Sequence, residues 1–558
     1  MSGMETIQAP GHATHEVRNQ SQPLEDFNVF TSDTVLREAV SREGGDFAVE
    51  RIEAVGAAGG SAEAIRWGFE AEGNRPELKT HDRFGHRIDE VEFHPSYHQL
   101  MKLHVEGATH ALPWREPEPG AHVARAAAFM CVSAADAGTG CPISMTYSVI
   151  PALRKQPELA EEWEPRFTSL EYDGRLVPAA EKPGALCGMA MTEKQGGSDV
   201  RANTTTAEPV NGGGPGAEYE ITGHKWFCSA PMCDAFLVLA QTESGASCFL
   251  LPRFTPDGER NRMHLQRLKD KLGNRSNASS EVEFRGAWAR MVGEGGRGVP
   301  TIIEMVNHTR LDCALGSASG MRRGLEQAIW HASHRSAFGK ELIEQPLMQN
   351  VLSDLAIESE AATISSLWLA RQFDQAHAGD EQSALRRRLA TPVLKYWICK
   401  RAPWHAVEAL ECLGGNGYVE ESGMPRLFRE SPLMSIWEGS GNVQALDVLR
   451  AMVKSPEAVE AFFAEVEEAF GSDNRLDAFA EATRRELGDL EQIESRARRV
   501  VERMALALQA SLLVRYGDEA VADAFCATRL EGDWGNAFGT LPAGTDCSRI
   551  IERHRPLL

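Results

Sequence analysis

The chain has 558 residues and a formal net charge of −22, from 80 acidic against 58 basic side chains. With 42% apolar and 25% charged residues it has a globular composition. This excludes disordered, fibrous and membrane-embedded classes, and the length calls for three or four domains. The acidity argues against any general affinity for phosphate polymers, so a nucleic-acid role would need a local patch.

Residues 1–40 are polar and mixed and read as an arm with little structure of its own. No secretory core stands among the first twenty residues and no apolar run reaches the roughly 18–20 residues of a membrane span. The eleven cysteines are odd in number and scattered, as expected of reduced thiols in a cytoplasmic protein. Residues 41–184 are an N-terminal helical domain, with apolar residues at three- and four-residue spacing over 97–107 and 121–135. Residues 185–292 are a middle β domain, with short strands at 235–241, 247–251 and 282–284 separated by turn signals. The glycine-rich 293–298 then opens a helix bundle, 293–450, with long helices over 311–333, 346–373 and 390–413. Residues 451–558 read as a separate C-terminal helical domain. The expected fold is mostly α with a small central β domain; strands and helices are segregated, which excludes a doubly wound α/β sheet.

Three segments carry candidate chemistry. MAMTEKQGGSDV (189–200) supplies Met189, Met191, Thr192, Gly197 and Ser198, a loop whose glycines let backbone N–H groups approach a ring or a phosphate, or else an ordinary capped turn. GHKWFCSAP (223–231) puts Trp226 and Phe227 beside Ser229, either a wall for a flat aromatic ligand or a core pair on a strand. SIWEGSGNVQALDVLR (435–450) sets Glu438 on a glycine turn against Trp437. There a desolvated carboxyl suits a general base, or else Ser440 or Asn442 caps the next helix and Glu438 is solvated. Asn211–Gly216 reads as a hairpin loop. His94 and His98 flank a proline and lack a third ligand, so no metal site is expected. Cys228 and Cys233 read as small packing residues.

MTEKQGGSDV, HKWFCSAP, RSAFGK, LGGNGY and IWEGSGN together, in this order and spacing, resemble the acyl-CoA dehydrogenase flavoprotein family over about residues 80–450. RLKDKLGNRSNASSEVEF (267–284) and the extra tail are most similar to its alkylation-response, AidB-like branch. The resemblance implies an FAD-dependent oxidoreductase that dehydrogenates an acyl-CoA thioester between its α and β carbons. Glu438 takes the α-proton and the β-hydride passes to flavin N5, with the thioester carbonyl held by the Glu438 N–H and a ribityl hydroxyl. It implies that Arg310 tunes the base, and that Met189, Met191, Thr192, Gly197, Ser198, Phe227, Ser229, Trp437, Gly439, Ser440 and Asn442 hold the flavin. Arg335 and Phe338 would reach the adenosine end of a neighbouring subunit's FAD, and Gly414 and Gly415 would lie near FAD phosphates, so the implied state is a homo-oligomer, a dimer of dimers. Some members place the base just before the arginine; that position is Thr309, which cannot serve. Phe227 stands where tryptophan is more general, and Glu411 where many relatives have glutamine, which puts that FAD contact in doubt.

The branch also implies an alternative, a DNA-binding stress-response flavoprotein with a largely structural FAD. The tail, however, carries −7 of the −22 charge and is about twice as acidic per residue as the body. One local feature remains, Arg496, Arg499 and Arg503, a stripe on one side of a helix and the candidate contact for double-stranded DNA; the competing reading is a salt-bridged helix face.

Overall fold

The computed structural model describes residues 14–557. Helices make up the first part of the chain, but not alone: Glu77–His81 and Arg87–Glu92 pair as an antiparallel hairpin that the helical reading of 41–184 missed. Both strands are short and mostly polar, so no apolar alternation marked them. The arm also departs from expectation. Thr34–Arg42 is a helix capped by Asp33, and Leu24, Phe27 and Phe30 are buried.

The β domain is a seven-stranded sheet over Cys187–Val292. Glu218–Ser229 runs antiparallel to Ser279–Val292, from Glu218 opposite Arg290 to Ser229 opposite Ser279. Ala235–Thr242 turns tightly into Gly245–Pro252 and also pairs in parallel with Cys187–Ala190. Ala235–Ala240 and Ser247–Pro252 are buried throughout, which explains their apolar sequence, and the exposed turn between them carries Glu243 and Ser244. NGGGPG lies in the turn between Thr206–Pro209 and Glu218–Ser229, as its hairpin reading requires.

Three long helices form the bundle: a central helix Gly298–His334, then Pro346–His377 and Glu381–Glu411. Each is longer than its apolar pattern suggested; the added first turns of the central helix bury Ile302, Met305 and Val306. The central helix is buried along most of its length, between the bundle and the first helical region. The apolar residues of the tail helices belong to the same continuous core as those of the bundle. Buried ion pairs bind them to the bundle. Arg553 and His554 meet Glu360 at 2.9 and 3.0 Å, and Arg529 pairs with Asp354. Burial works against ionisation of Glu360, but His554 and Arg553 outweigh it and hold its carboxyl at about 2. No described helix is long and apolar enough to cross a membrane.

Candidate functional site

A cleft of about 1240 Å³ opens where the sheet, the central helix and the segment 424–454 meet. Its sheet side is made by the first two motifs. Met189 stands in the strand Cys187–Ala190, and Met191, Thr192, Gly197 and Ser198 follow in the loop; all five line the cleft. The loop is anchored by a carboxylate. Glu193 is fully buried and pairs with buried Lys225 at 2.8 Å, and also accepts from the Thr204 and Thr205 N–H groups at 2.7 and 3.1 Å. Burial opposes ionisation of Glu193, but these donors outweigh it and hold the carboxyl well below the usual range. This pair ties the first motif to the second, and both residues stand inside the motifs themselves. At Gly197 a β-carbon would meet Thr192 Oγ1 at 2.5 Å, so glycine is required for the loop to fold back on itself.

Phe227 and Ser229 point into the cleft from the strand Glu218–Ser229. Phe227 remains 50% exposed, an uncovered aromatic face with the Lys269 ammonium 4.7 Å from its centroid. Such a ring at the wall of a cleft is suited to stack on another flat ring. Ser229 Oγ lies 3.4 Å from Ser279 Oγ, a contact too long to saturate it.

Opposite stands the glycine turn. Trp437, Glu438, Gly439 and Ser440 line the cleft, and Glu438 has φ +56°, a left-handed backbone rare for a side-chain residue. The strain is held by three side chains that grip consecutive carbonyls. Lys395, itself buried, donates to the Trp437 and Gly439 oxygens at 2.9 and 2.6 Å. Arg310 Nε donates to the Glu438 oxygen at 3.1 Å, and Gln444 Nε2 to the Glu438 and Gly439 oxygens at 3.0 and 2.9 Å. Arg310 is fixed in turn by Asp447 at 2.8 Å. Both cations therefore meet backbone oxygen or another acid, and among the described residues the Glu438 carboxylate has no ion pair. Its one hydrogen bond among the described residues is from Thr309 Oγ1 to Oε2, at 2.8 Å. Burial pushes the Glu438 carboxyl above its ordinary value, against the Thr309 bond and the Arg310 and Lys395 charges. A carboxylate desolvated but unpaired is what a general base requires.

Sequence reasoning missed Lys395 and Gln444 and dismissed Thr309. Lys395 had a signal, a single lysine in the apolar run Leu389–Ile398, but nothing in its own segment says what it holds. Asn442 and Ser440 are exposed at the start of the helix Gly441–Lys454, and Ser440 takes the N-cap position without capping through its side chain.

Other residues singled out lie elsewhere. Phe338 is 99% exposed at the tip of the hairpin Ser336–Glu341, and Arg335 donates to the Asn19 carbonyl at 2.7 Å. Gly414 and Gly415 sit on an open surface, where a β-carbon at either position would meet no atom within 4 Å, and Glu411 is exposed at the end of its helix. These five do not line the cleft. His94 accepts from the Ser96 N–H and His98 bonds the Tyr172 hydroxyl, and among the described residues no group of three ligands is placed to hold a metal. In the tail, Arg496, Arg499 and Arg503 all converge on Glu486 of the helix Asn474–Gly488, at 3.8, 2.9 and 3.4 Å. Arg496 also reaches Asp489, and Arg503 lies 4.1 Å over the Phe479 ring. The stripe faces a neighbouring helix, and only Arg499 is largely exposed.

Three family models match the chain. They are the adaptive response protein AidB N-terminal domain over residues 19–174, the acyl-CoA dehydrogenase middle domain over 188–287 and the acyl-CoA dehydrogenase C-terminal domain over 296–453. The Escherichia coli (strain K12) protein named "Putative acyl-CoA dehydrogenase AidB" is 44% identical over 520 residues, 93% of this chain and 95% of that one. Caenorhabditis elegans ACDH-11, solved in complex with C11-CoA, superposes with a TM-score of 0.84 at 27% identity, covering 95% of both chains. The solved apo-form of Bd2924 gives 0.82 at 28% identity, covering 89% of this chain and 99% of that one.

Proposed function

Because this chain belongs to the acyl-CoA dehydrogenase family, in its AidB-like branch, and is thereby an FAD-dependent oxidoreductase, we propose that its cleft dehydrogenates an acyl-CoA thioester with Glu438 as the base. The observation that carries this reading is the unpaired Glu438 carboxylate, held on a strained turn among cations that are all otherwise engaged. Glu438 takes the proton from the carbon beside the thioester carbonyl. Its desolvated environment raises its carboxyl above the ordinary value and so strengthens it as a proton acceptor. The three clamped carbonyls keep the turn from relaxing, so the base stays aimed at one point. Phe227, Ser229, Met191, Thr192 and the Gly197–Ser198 segment hold FAD, which when bound supplies the ring that accepts the hydride. The half-exposed Phe227 face and the unsaturated Ser229 hydroxyl fit such a ring.

Beyond Glu438 the cleft follows the central helix past Cys313, Gly316 and Gly320, a wall of small side chains with room for a bulky or extended acyl group. The C11-CoA ligand of the worm neighbour agrees with that shape. Arg335, Phe338, Gly414 and Gly415, all outside the cleft, serve the FAD of a second copy, which makes the working enzyme a homo-oligomer. The test is an anaerobic panel of acyl-CoAs of increasing length and branching, followed by flavin absorbance. Bleaching by at least one member is expected, and a flavin that no member bleaches refutes the reading. Arg335→Ala should lower FAD retention in gel filtration.

A further inference from the structure

Thr309 lies one residue before Arg310 on the central helix, and its hydroxyl has two acceptors within reach but one proton to give. Val306 offers its carbonyl at 3.0 Å, three residues back in the same helix; Glu438 offers Oε2 at 2.8 Å. We propose that Thr309 is a positioning residue whose hydroxyl holds the empty Glu438 carboxylate toward the central helix and turns to Val306 once the carboxyl has taken a proton. The proposal rests on the reading of Glu438 as the base.

The surroundings leave this task to Thr309. Arg310, on the same helix, aims its guanidinium at the Glu438 backbone oxygen and at Asp447. Lys395, from the helix Glu381–Glu411, is engaged by the Trp437 and Gly439 oxygens. The Cys141 and Cys313 thiols, the remaining titratable groups facing Glu438, are both pushed up by burial, Cys141 to about 12, and stay neutral. Among the described residues Thr309 is therefore the only donor to the carboxylate oxygens. A hydroxyl bound to an ionised acceptor makes a bond about twice as strong as to a neutral one. The ionised base is thus preferred as partner, and the protonated one is released. The helix carbonyl is the natural alternative, since threonine hydroxyls in helices commonly return to the preceding turn. A residue that only filled space here would not discriminate between the two states of Glu438.

The experiment uses the holoprotein without substrate. The infrared carboxyl band of Glu438, identified by its loss in Glu438→Gln, is followed against pH, with thermal unfolding recorded for each variant. Thr309→Val keeps the shape and removes the proton, and its band should titrate about one pH unit higher than in the parent. Thr309→Ala should shift in the same direction, and Thr309→Ser should return to the parent midpoint. A parent-like midpoint in Thr309→Val and Thr309→Ala, or a Thr309→Ser midpoint displaced with them, overturns the proposal. A shift in a protein whose flavin no acyl-CoA bleaches defeats the dehydrogenase reading alone, and bleaching without a shift defeats the role of Thr309 alone.

Discussion

The Glu438 turn and the Arg496–Arg503 stripe are built from the same materials, carboxylates and cations, and reach opposite results. In the tail three arginines share Glu486, with Asp489 and the Phe479 ring completing their contacts. At the turn Lys395 and Arg310 are directed to backbone oxygens, and the one carboxylate that could have paired with them is left with a single hydroxyl. Charges matched to charges hold helices together and have little left for a ligand. A carboxylate kept from its neighbours, at a cost in desolvation, is free to take a proton. The arrangement of partners, and not the residue types, separates a scaffold from a site.

Four measurements on three variants test that contrast. Glu438→Gln should bring the largest effect, a loss of at least about 100-fold in the rate of anaerobic flavin bleaching, with the yellow colour retained. Unchanged bleaching would move the base elsewhere. Lys395→Met should come next. It leaves the Trp437 and Gly439 carbonyls without their donor, and should lower stability by about 3 kcal/mol in urea unfolding while also slowing bleaching. A stable and active Lys395→Met variant would break the account of the clamped turn.

The third measurement returns to Glu438→Gln and depends on pH. The folded Glu438 carboxyl sits above its unfolded value, so the folded state holds the proton more tightly and stability falls as pH rises from the unfolded value through the folded one. Glu438→Gln removes that penalty. Relative to the parent it should be more stable at neutral pH than at acid pH, so that the difference in unfolding free energy narrows below about pH 4.5. A difference that is independent of pH would contradict the sign. The smallest effect is expected in the tail. Arg499→Ala, at a largely exposed pair, should change unfolding free energy by under about 1 kcal/mol and leave duplex DNA retention unchanged across a salt series. Retention that is steeply salt-dependent and weakened by Arg499→Ala would show that the stripe serves a ligand, and the contrast between stripe and turn would fail.

Much of this was readable along the chain because it is local. The helices declare themselves through apolar periodicity, and the buried strands 235–252 through unbroken apolar runs. The loop residues Met191, Thr192, Gly197 and Ser198 and the turn residues Trp437 to Ser440 stand in contiguous motifs whose order identified the family. The polar hairpin 77–92 gave no such signal. The helix Thr34–Arg42 was absorbed into a polar arm because its buried face is only four residues wide.

The sequence by itself determined where the long helices and the buried strands run, and marked the short motifs that come to line the cleft. Both follow from interactions among residues close in the chain. The tertiary structure alone decided the electrostatic state of those motifs. Lys395 lies 43 positions from Glu438 and Thr309 lies 129 positions from it, yet these two fix the turn and the carboxylate. The tail arginines were likewise an open stripe until Glu486 was folded against them. Pairing depends on distance in space, falls off within a few ångströms, and is created by packing between elements that the order of residues leaves far apart.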